Sequence, residues 1–225
     1  MFASRGRRVV EPLWKRARGH PHSCRVTTSL LVIDDFLADP EPLRARALTL
    51  SYEMPGPYPG RNSIERIKLE GLEEQVSEIV QEPLRPIAPL QSHGKCRLAL
   101  SSDDKPGKIH VDPSYWSGIL YLSRTGDCRG GTEFYRHIPT GTDQVPTDLE
   151  GLRSIGYSSY DEVRRDITTR DAFDRSKWEL TMTVPMRFNR LVLLRPWLWH
   201  TSGPGFGNSI EDGRLIYVMF FTLDR

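Results

Sequence analysis

The chain has 225 residues, 38% of them hydrophobic, with five Trp, eight Tyr and eight Phe. That is enough apolar and aromatic material for one buried core, and it excludes a largely disordered chain. The net charge of +2 is uneven: residues 1–25 carry seven Lys or Arg against Glu11, a net +6, which leaves −4 for the other 200. The globular part therefore has no basic stripe for nucleic acid. No apolar run approaches the ~20 residues that span a bilayer, and there is no signal-peptide core, so a cytoplasmic protein without membrane contact is expected. Cys24, Cys96 and Cys128 form no Cys-x-x-Cys pair, which argues against a zinc knuckle or a disulfide scaffold.

In chain order, residues 1–28 read as a basic tail, broken by Pro12, Gly19 and Pro21. His20, His22 and Cys24 alternate there, a weak signal for a second metal site. A short buried strand follows at Ser29–Ile33. Asp39-Pro40-Glu41-Pro42 opens a helix that Asp39 can cap, with Leu43, Ala47 and Leu50 on its apolar face and the arginines elsewhere. Three prolines between Pro55 and Gly60 imply an unpaired loop. A second helix is expected over Leu72–Val80.

From about Lys95 the pattern turns strand-like. Strands are expected at 95–100, 108–111, 118–122, 132–135, 180–184, 190–194, 198–201 and 214–222. Short strands with Gly/Pro punctuation suggest a mainly β fold of jelly-roll type, preceded by N-terminal helices. The last strand is apolar on both faces after Arg214, so those helices are expected to cover its outer face. Residues 138–177 form a connection long enough to be a substrate lid. One domain is expected over 29–225, with its core at 95–222. Gly203-Pro204-Gly205-Phe206-Gly207 resembles a dinucleotide loop, but it opens no helix.

The candidate chemistry starts at Ile109-His110-Val111-Asp112. Residues i and i+2 of a strand share a face, so His110 and Asp112 can offer two adjacent metal ligands at a mouth set by Pro113. Alone, the pair could equally be a surface hydrogen bond. His200, late in the β region, is a third ligand candidate, although a histidine among apolar neighbours is commonly a core group. Two His and one carboxylate with open positions suit non-haem Fe(II) better than structural zinc. Arg214 opens the last strand, where a guanidinium fork matches a carboxylate. The bland alternative is a salt bridge to Glu211 or Asp212.

The order His-x-Asp, distal His, then Arg in the final strand resembles the Fe(II)/2-oxoglutarate-dependent oxygenases. Ile119-Leu120-Tyr121-Leu122-Ser123 followed by Gly130-Gly131-Thr132-Glu133-Phe134 is similar to their prolyl-hydroxylase-like branch. The Tyr58–Asn62 loop resembles an uncharacterised, mainly bacterial group of such oxygenases. The resemblance implies a double-stranded β-helix, a cupin-like jelly roll. It also implies Fe(II) held by His110, Asp112 and His200, with 2-oxoglutarate and O2 as co-substrates. Arg214, with Tyr121, would bind the distal carboxylate of 2-oxoglutarate. C–H hydroxylation with release of succinate and CO2 is the expected outcome, on a small molecule, amino acid or peptide. Ser123 stands where the branch has Asn, and the gap from His200 to Arg214 is longer than usual. Arg61, Arg97, Tyr115 and Trp116 are candidate substrate residues, and the assembly is expected to be a monomer or homodimer. A non-redox jelly-roll binding protein and a cupin-type metal-dependent isomerase or lyase stay open as alternatives.

Overall fold

The computed structural model describes residues 27–56, 58–103 and 106–224; the basic stretch 1–26, with His20, His22 and Cys24, lies outside them. The strand that organises the rest is Arg214–Leu223, the last of eleven among the described residues and therefore β11. Its side chains alternate. Leu215, Tyr217, Met219 and Phe221 pack on Leu43, Ala47 and Leu50 of the first helical segment, α1 (Glu41–Ala47) and the turn after it. The same layer takes Leu72 and Val76 of α2 (Leu72–Val80). Burying each such side chain contributes about 1.5–3 kcal/mol, so this layer is the main apolar store of the fold. The expectation that helices cover the outer face of the last strand is met.

The other face of β11 carries Arg214, Ile216 and Val218 and looks between two antiparallel sheets. In the larger sheet β11 lies between β5 (Cys96–Ala99) and β6 (Trp116–Tyr121). Beyond β6 come β9 (Leu191–Leu194) and β1 (Leu30–Ile33). Beyond β5 come β3 (Arg61–Asn62) and β2 (Met54–Pro55), and β4 (Leu84–Pro86) pairs with the far end of β11. The register aligns Met54, Asn62, Arg97, Ile216 and Tyr121 across five strands, so their side chains share the inner face. The smaller sheet has the order β10 (His200–Ser202), β7 (Gly131–His137), β8 (Trp178–Pro185). Phe134, Val184 and Met186 on this side meet Tyr121, Val192, Ile216 and Val218 to form the inner core. The protein is thus mainly β, with few helices. No helix among the described residues is long and apolar enough to cross a membrane.

Several local expectations need correction. Residues 108–111 form no strand: His110 makes one isolated antiparallel bridge to His200, because Pro106, Gly107 and Pro113 leave no room for a ladder. The proline-rich loop does pair, through the two-residue strands β2 and β3 at the sheet edge, where a missing N–H is tolerated. The first strand is an edge strand, and Val32 is 45% exposed rather than buried. Pro40, not Asp39, takes the cap position of α1 and gives no side-chain cap; Asp39 Oδ1, one residue earlier, accepts from the Glu41 amide at 3.2 Å. Arg44, expected on the solvent face of α1, is buried and donates to the carbonyls of Leu122 and Glu211. It ties the helix to the end of β6.

Residues 138–177 are a packed substructure. They contain α3 (Leu149–Ser154), α4 (Tyr160–Arg165), a π-helical turn (Asp166–Asp171) and a 3-10 turn (Arg175–Lys177). Leu152, Val163 and Ile167 pack with Ile109, Tyr135, Trp178 and Trp199. Inside this cluster His137 Nε2 lies 3.2 Å from Asp171 Oδ2, and Trp178 Nε1 donates to the Asp171 carbonyl.

Tyr115 and Trp116 were expected near substrate; the fold uses them elsewhere. Tyr115 Oη and Trp116 Nε1 donate to the two oxygens of Glu82 at 3.0 and 2.6 Å, and Arg195 Nη2 joins them at 2.8 Å. The Arg195 guanidinium lies 4.4 and 4.0 Å from the Tyr115 and Trp116 ring centres. Burial opposes the charge on Glu82, but hydrogen bonds from Trp116 and Arg195 hold its carboxyl below the usual range. This pair clamps the loop after α2 to β6 and to the end of β9. Glu82→Ala would strand a buried guanidinium and is expected to cost about 3 kcal/mol. Urea unfolding should show a lower midpoint at unchanged slope; a loss under about 1 kcal/mol would mean that solvent already screens the pair.

Candidate metal centre

The isolated bridge creates the centre. His110 N donates to His200 O at 3.0 Å and His200 N returns to His110 O at 3.1 Å, which sets the two residues directly opposite each other. Each ring then bonds its own chain two residues back: His110 Nδ1 to Lys108 O at 2.9 Å, and His200 Nδ1 to Leu198 O at 2.8 Å. A carbonyl only accepts, so Nδ1 carries a proton in both and Nε2 is the atom each ring turns away from its own chain. Both Nε2 atoms turn to Asp112, at 3.4 Å from Oδ1 and 3.3 Å from Oδ2. All three ligand atoms lie within 4.8 Å of one another. Ser117 Oγ donates to Asp112 Oδ2 at 2.7 Å and fixes the plane of the carboxylate.

The group is almost fully buried. Burial by itself would raise the Asp112 carboxyl; His200 and His110 outweigh it and hold the carboxyl far below its usual range. Asp112 is thus an anion paired with no Lys or Arg among the described residues, facing the Nε2 atoms of both histidines. This donor set fits a divalent first-row metal that keeps open positions on the side away from the protein.

The triad lies in the wall of a cavity of about 170 Å³ between the two sheets. Arg214 stands in the same wall. It is 3% exposed; Nη2 donates to Gly131 O at 3.3 Å and Nη1 meets the Met186 thioether. No carboxylate among the described residues lies within ion-pair distance of it. The alternative of a local salt bridge is excluded: Asp212 accepts from the Asn208 and Ser209 amides, and Glu211 offers Arg44 its carbonyl. Tyr121 lies under the guanidinium, with its ring centre at 5.8 Å, and its hydroxyl bonds Thr132 Oγ1 at 2.7 Å.

Arg97 also lines the cavity. Its guanidinium donates to the carbonyls of Tyr58 and Pro59 and to Asn62 Oδ1, so it pins the proline-rich loop at the cavity edge. Arg61, by contrast, points outward: it is exposed, and its neighbour Asn62 takes the inner face. Trp116 and Tyr115 stay in the Glu82 cluster, away from the cavity. No residue of 138–177 lines the cavity; that segment packs behind Ile109 and Trp199.

Two residues enter unforeseen. Ser117 gave no signal, because a serine five places after an aspartate is commonplace. Tyr58 packs its ring 4.3 Å from that of His110, and only its place in the Tyr-Pro-Gly loop hinted at a role. Ser117→Ala is expected to weaken Mn(II) or Co(II) binding about 10–100-fold with the fold retained. Calorimetric titration checks this, and an unchanged affinity would remove Ser117 from the metal's support.

A search among curated proteins returns no significant match. Among solved structures, the chain resembles HygX from Streptomyces hygroscopicus with nickel, 2-oxoglutarate and hygromycin B bound. The identity is 15% and the TM-score 0.48, covering 88% of this chain and 84% of that one. A second HygX structure, with nickel and 2-oxoglutarate, aligns over the same shares at 15% identity and a TM-score of 0.46. Residues 17–221 match a single family, and the chain belongs to it: DUF6445, a family of unknown function.

Proposed function

We propose that this chain is an Fe(II)- and 2-oxoglutarate-dependent oxygenase, a double-stranded β-helix of the prolyl-hydroxylase-like kind, that hydroxylates a C–H bond. One observation carries the proposal. A guanidinium without a carboxylate partner, Arg214, is buried in the same cavity wall as a His-Asp-His group. An unpaired buried charge costs several kcal/mol, and a protein keeps it where a ligand supplies the opposite charge. A metal alone needs no such arginine. A dicarboxylate that chelates the metal at one end and meets Arg214 at the other accounts for both features.

The residues divide the work. His110 and His200 present Nε2, with the ring tautomer set by the Lys108 and Leu198 carbonyls. Asp112 supplies the negative ligand and Ser117 keeps its orientation. Arg214 takes the distal carboxylate through its fork, with Tyr121 beneath it. Ile216, Val218 and Phe220 make the floor apolar and limit the water that reaches the centre. Bound together there, Fe(II) and 2-oxoglutarate would activate O2, the oxidant: one oxygen atom would go to succinate, with loss of CO2, and the other to the substrate hydroxyl.

Anaerobic addition of Fe(II) and 2-oxoglutarate should give the weak visible absorption of the chelate, and His200→Ala should abolish it. Arg214→Met should weaken 2-oxoglutarate binding about 100-fold while leaving metal binding intact. If that substitution leaves 2-oxoglutarate affinity unchanged, the proposal fails. Oxygen uptake coupled to succinate formation separates the oxygenase from a non-redox binder and from an oxygen-independent isomerase or lyase.

A further inference from the structure

Two guanidinium groups, Arg97 and Arg214, line the cavity, and Asp112 is the one carboxylate among the described residues that does. Both arginines are at most 9% exposed, and neither has a carboxylate within ion-pair distance among the described residues. The acceptors around Arg97 are all neutral: the carbonyls of Tyr58, Pro59 and, marginally, Gly60, and Asn62 Oδ1. Of its five N–H groups, Nε and both on Nη2 serve the loop, while Nη1 gives one bond to Asn62. One N–H on Nη1 has no partner.

A third cation lies beside it. Lys95 directly precedes β5, two residues before Arg97, and continues the register opposite Val218, whose amide donates to the Lys95 carbonyl. It is 6% exposed; its ammonium meets the Met54 thioether at 2.8 Å, with the charges of Glu65 and Arg66 acting on it from farther away. Met54 and Asn62 occupy the same row of the sheet as Arg97. An ammonium has three donors and is strongly hydrated, and a thioether replaces little of that hydration.

Under the function proposed above, on which this step rests, the distal carboxylate neutralises Arg214. Asp112 and the chelating end of the co-substrate offset the metal. Arg97 then remains in the cavity wall as a buried positive charge with no carboxylate partner among the described residues, and Lys95 adds a second cation behind it, with Glu65 as its acidic neighbour. We propose that the substrate is an anion, a small acid whose carboxylate is held by the free Nη1 edge of Arg97 and drawn by Lys95, with its apolar part over Val218 and Phe220. The same placement tells against a cationic substrate, which would face both charges.

Trifluoroacetate is the probe, followed by fluorine NMR in protein loaded with Co(II) and 2-oxoglutarate, where the paramagnetic metal broadens any anion bound near it. We expect one metal-proximal trifluoroacetate, no equivalent binding of neutral trifluoroacetamide, and about tenfold weaker binding in Arg97→Gln. Arg97→Lys, which keeps the charge, should fall between. Because Arg97 also holds the loop, Lys95→Met provides an independent variant that leaves those hydrogen bonds in place; it should weaken the probe several-fold. Absence of a metal-proximal trifluoroacetate, equal binding of the amide, or full affinity in both Arg97→Gln and Lys95→Met would overturn the proposal. Affinity for 2-oxoglutarate, measured in the same samples, should stay unchanged in the Arg97 and Lys95 variants. A failure of the oxygenase reading would appear there and in Arg214→Met, separately from the trifluoroacetate result.

Discussion

Two backbone hydrogen bonds between His110 and His200 govern this structure more than any other contact. They belong to no ladder. His110 comes from a loop between Pro106 and Pro113, and His200 from the first residue of a three-residue strand. The bridge puts the rings 4.4 Å apart between centres, and the two Nδ1–carbonyl bonds then turn both Nε2 atoms onto Asp112. Ligand geometry tolerates errors of only about 0.2 Å at a metal, so a bridge that frayed would dissolve the site. The molecule holds it from both sides. In front, Ser117 fixes Asp112 and Tyr58 lies against the His110 ring. Behind, Ile109 and Trp199 anchor the same two backbones in apolar packing.

Charge is laid out along the inner face of the larger sheet with comparable economy. Arg214 stands at one end of β11, Arg97 stands on the neighbouring strand with Lys95 just before it, and Asp112 shares the cavity with both arginines. Solvent reaches none of these groups freely, so attraction and repulsion act at a lower effective dielectric than at the surface. Burial above all, with the Arg214 charge acting in the same direction, lowers Arg97 to about 10. The two guanidinium groups thus feel each other through the cavity. A fold that merely needed stability would have placed apolar residues at these positions, since unpaired buried charge destabilises. Their presence makes sense for a cavity whose occupants are anions.

Much of this was legible in the sequence, and the failures share a cause. The span Leu72–Val80 was readable because a helical stretch ran up to the stops Pro83 and Pro86; in the structure the helix ends at Gln81 in a left-handed conformation. The last strand was readable because its two apolar faces demanded two covers. His110, Asp112, His200 and Arg214 stood out by residue type and order. Tyr115 and Trp116 misled because their partner, Glu82, comes from a loop that no local pattern connects to them. Between Arg61 and Arg97 the choice turned on strand parity. Arg61 sits in a two-residue strand hidden inside a proline-rich loop, and a shift of one position exchanges inside for outside. Arg44 was misjudged for a related reason: a helix face that looks solvated in sequence meets the end of β6 in space.

Residues 138–177 bear on the chemistry without touching it. The backbone at His110 lacks the continuous pairing that usually stiffens a site, and β10 gives His200 a ladder of only three residues, so part of their rigidity comes from elsewhere. Ile109 N donates to Ala172 O at 3.1 Å and Trp199 N to Asp143 O at 3.1 Å, each one residue before a ligand histidine. Leu152, Val163 and Ile167 close the apolar layer beneath both, and the His137–Asp171 contact locks that layer to β7. A lid acts by moving over a cavity. This segment is joined to the ligand-bearing chain by backbone bonds and a shared core, and loosening it would displace Nε2 of both histidines together.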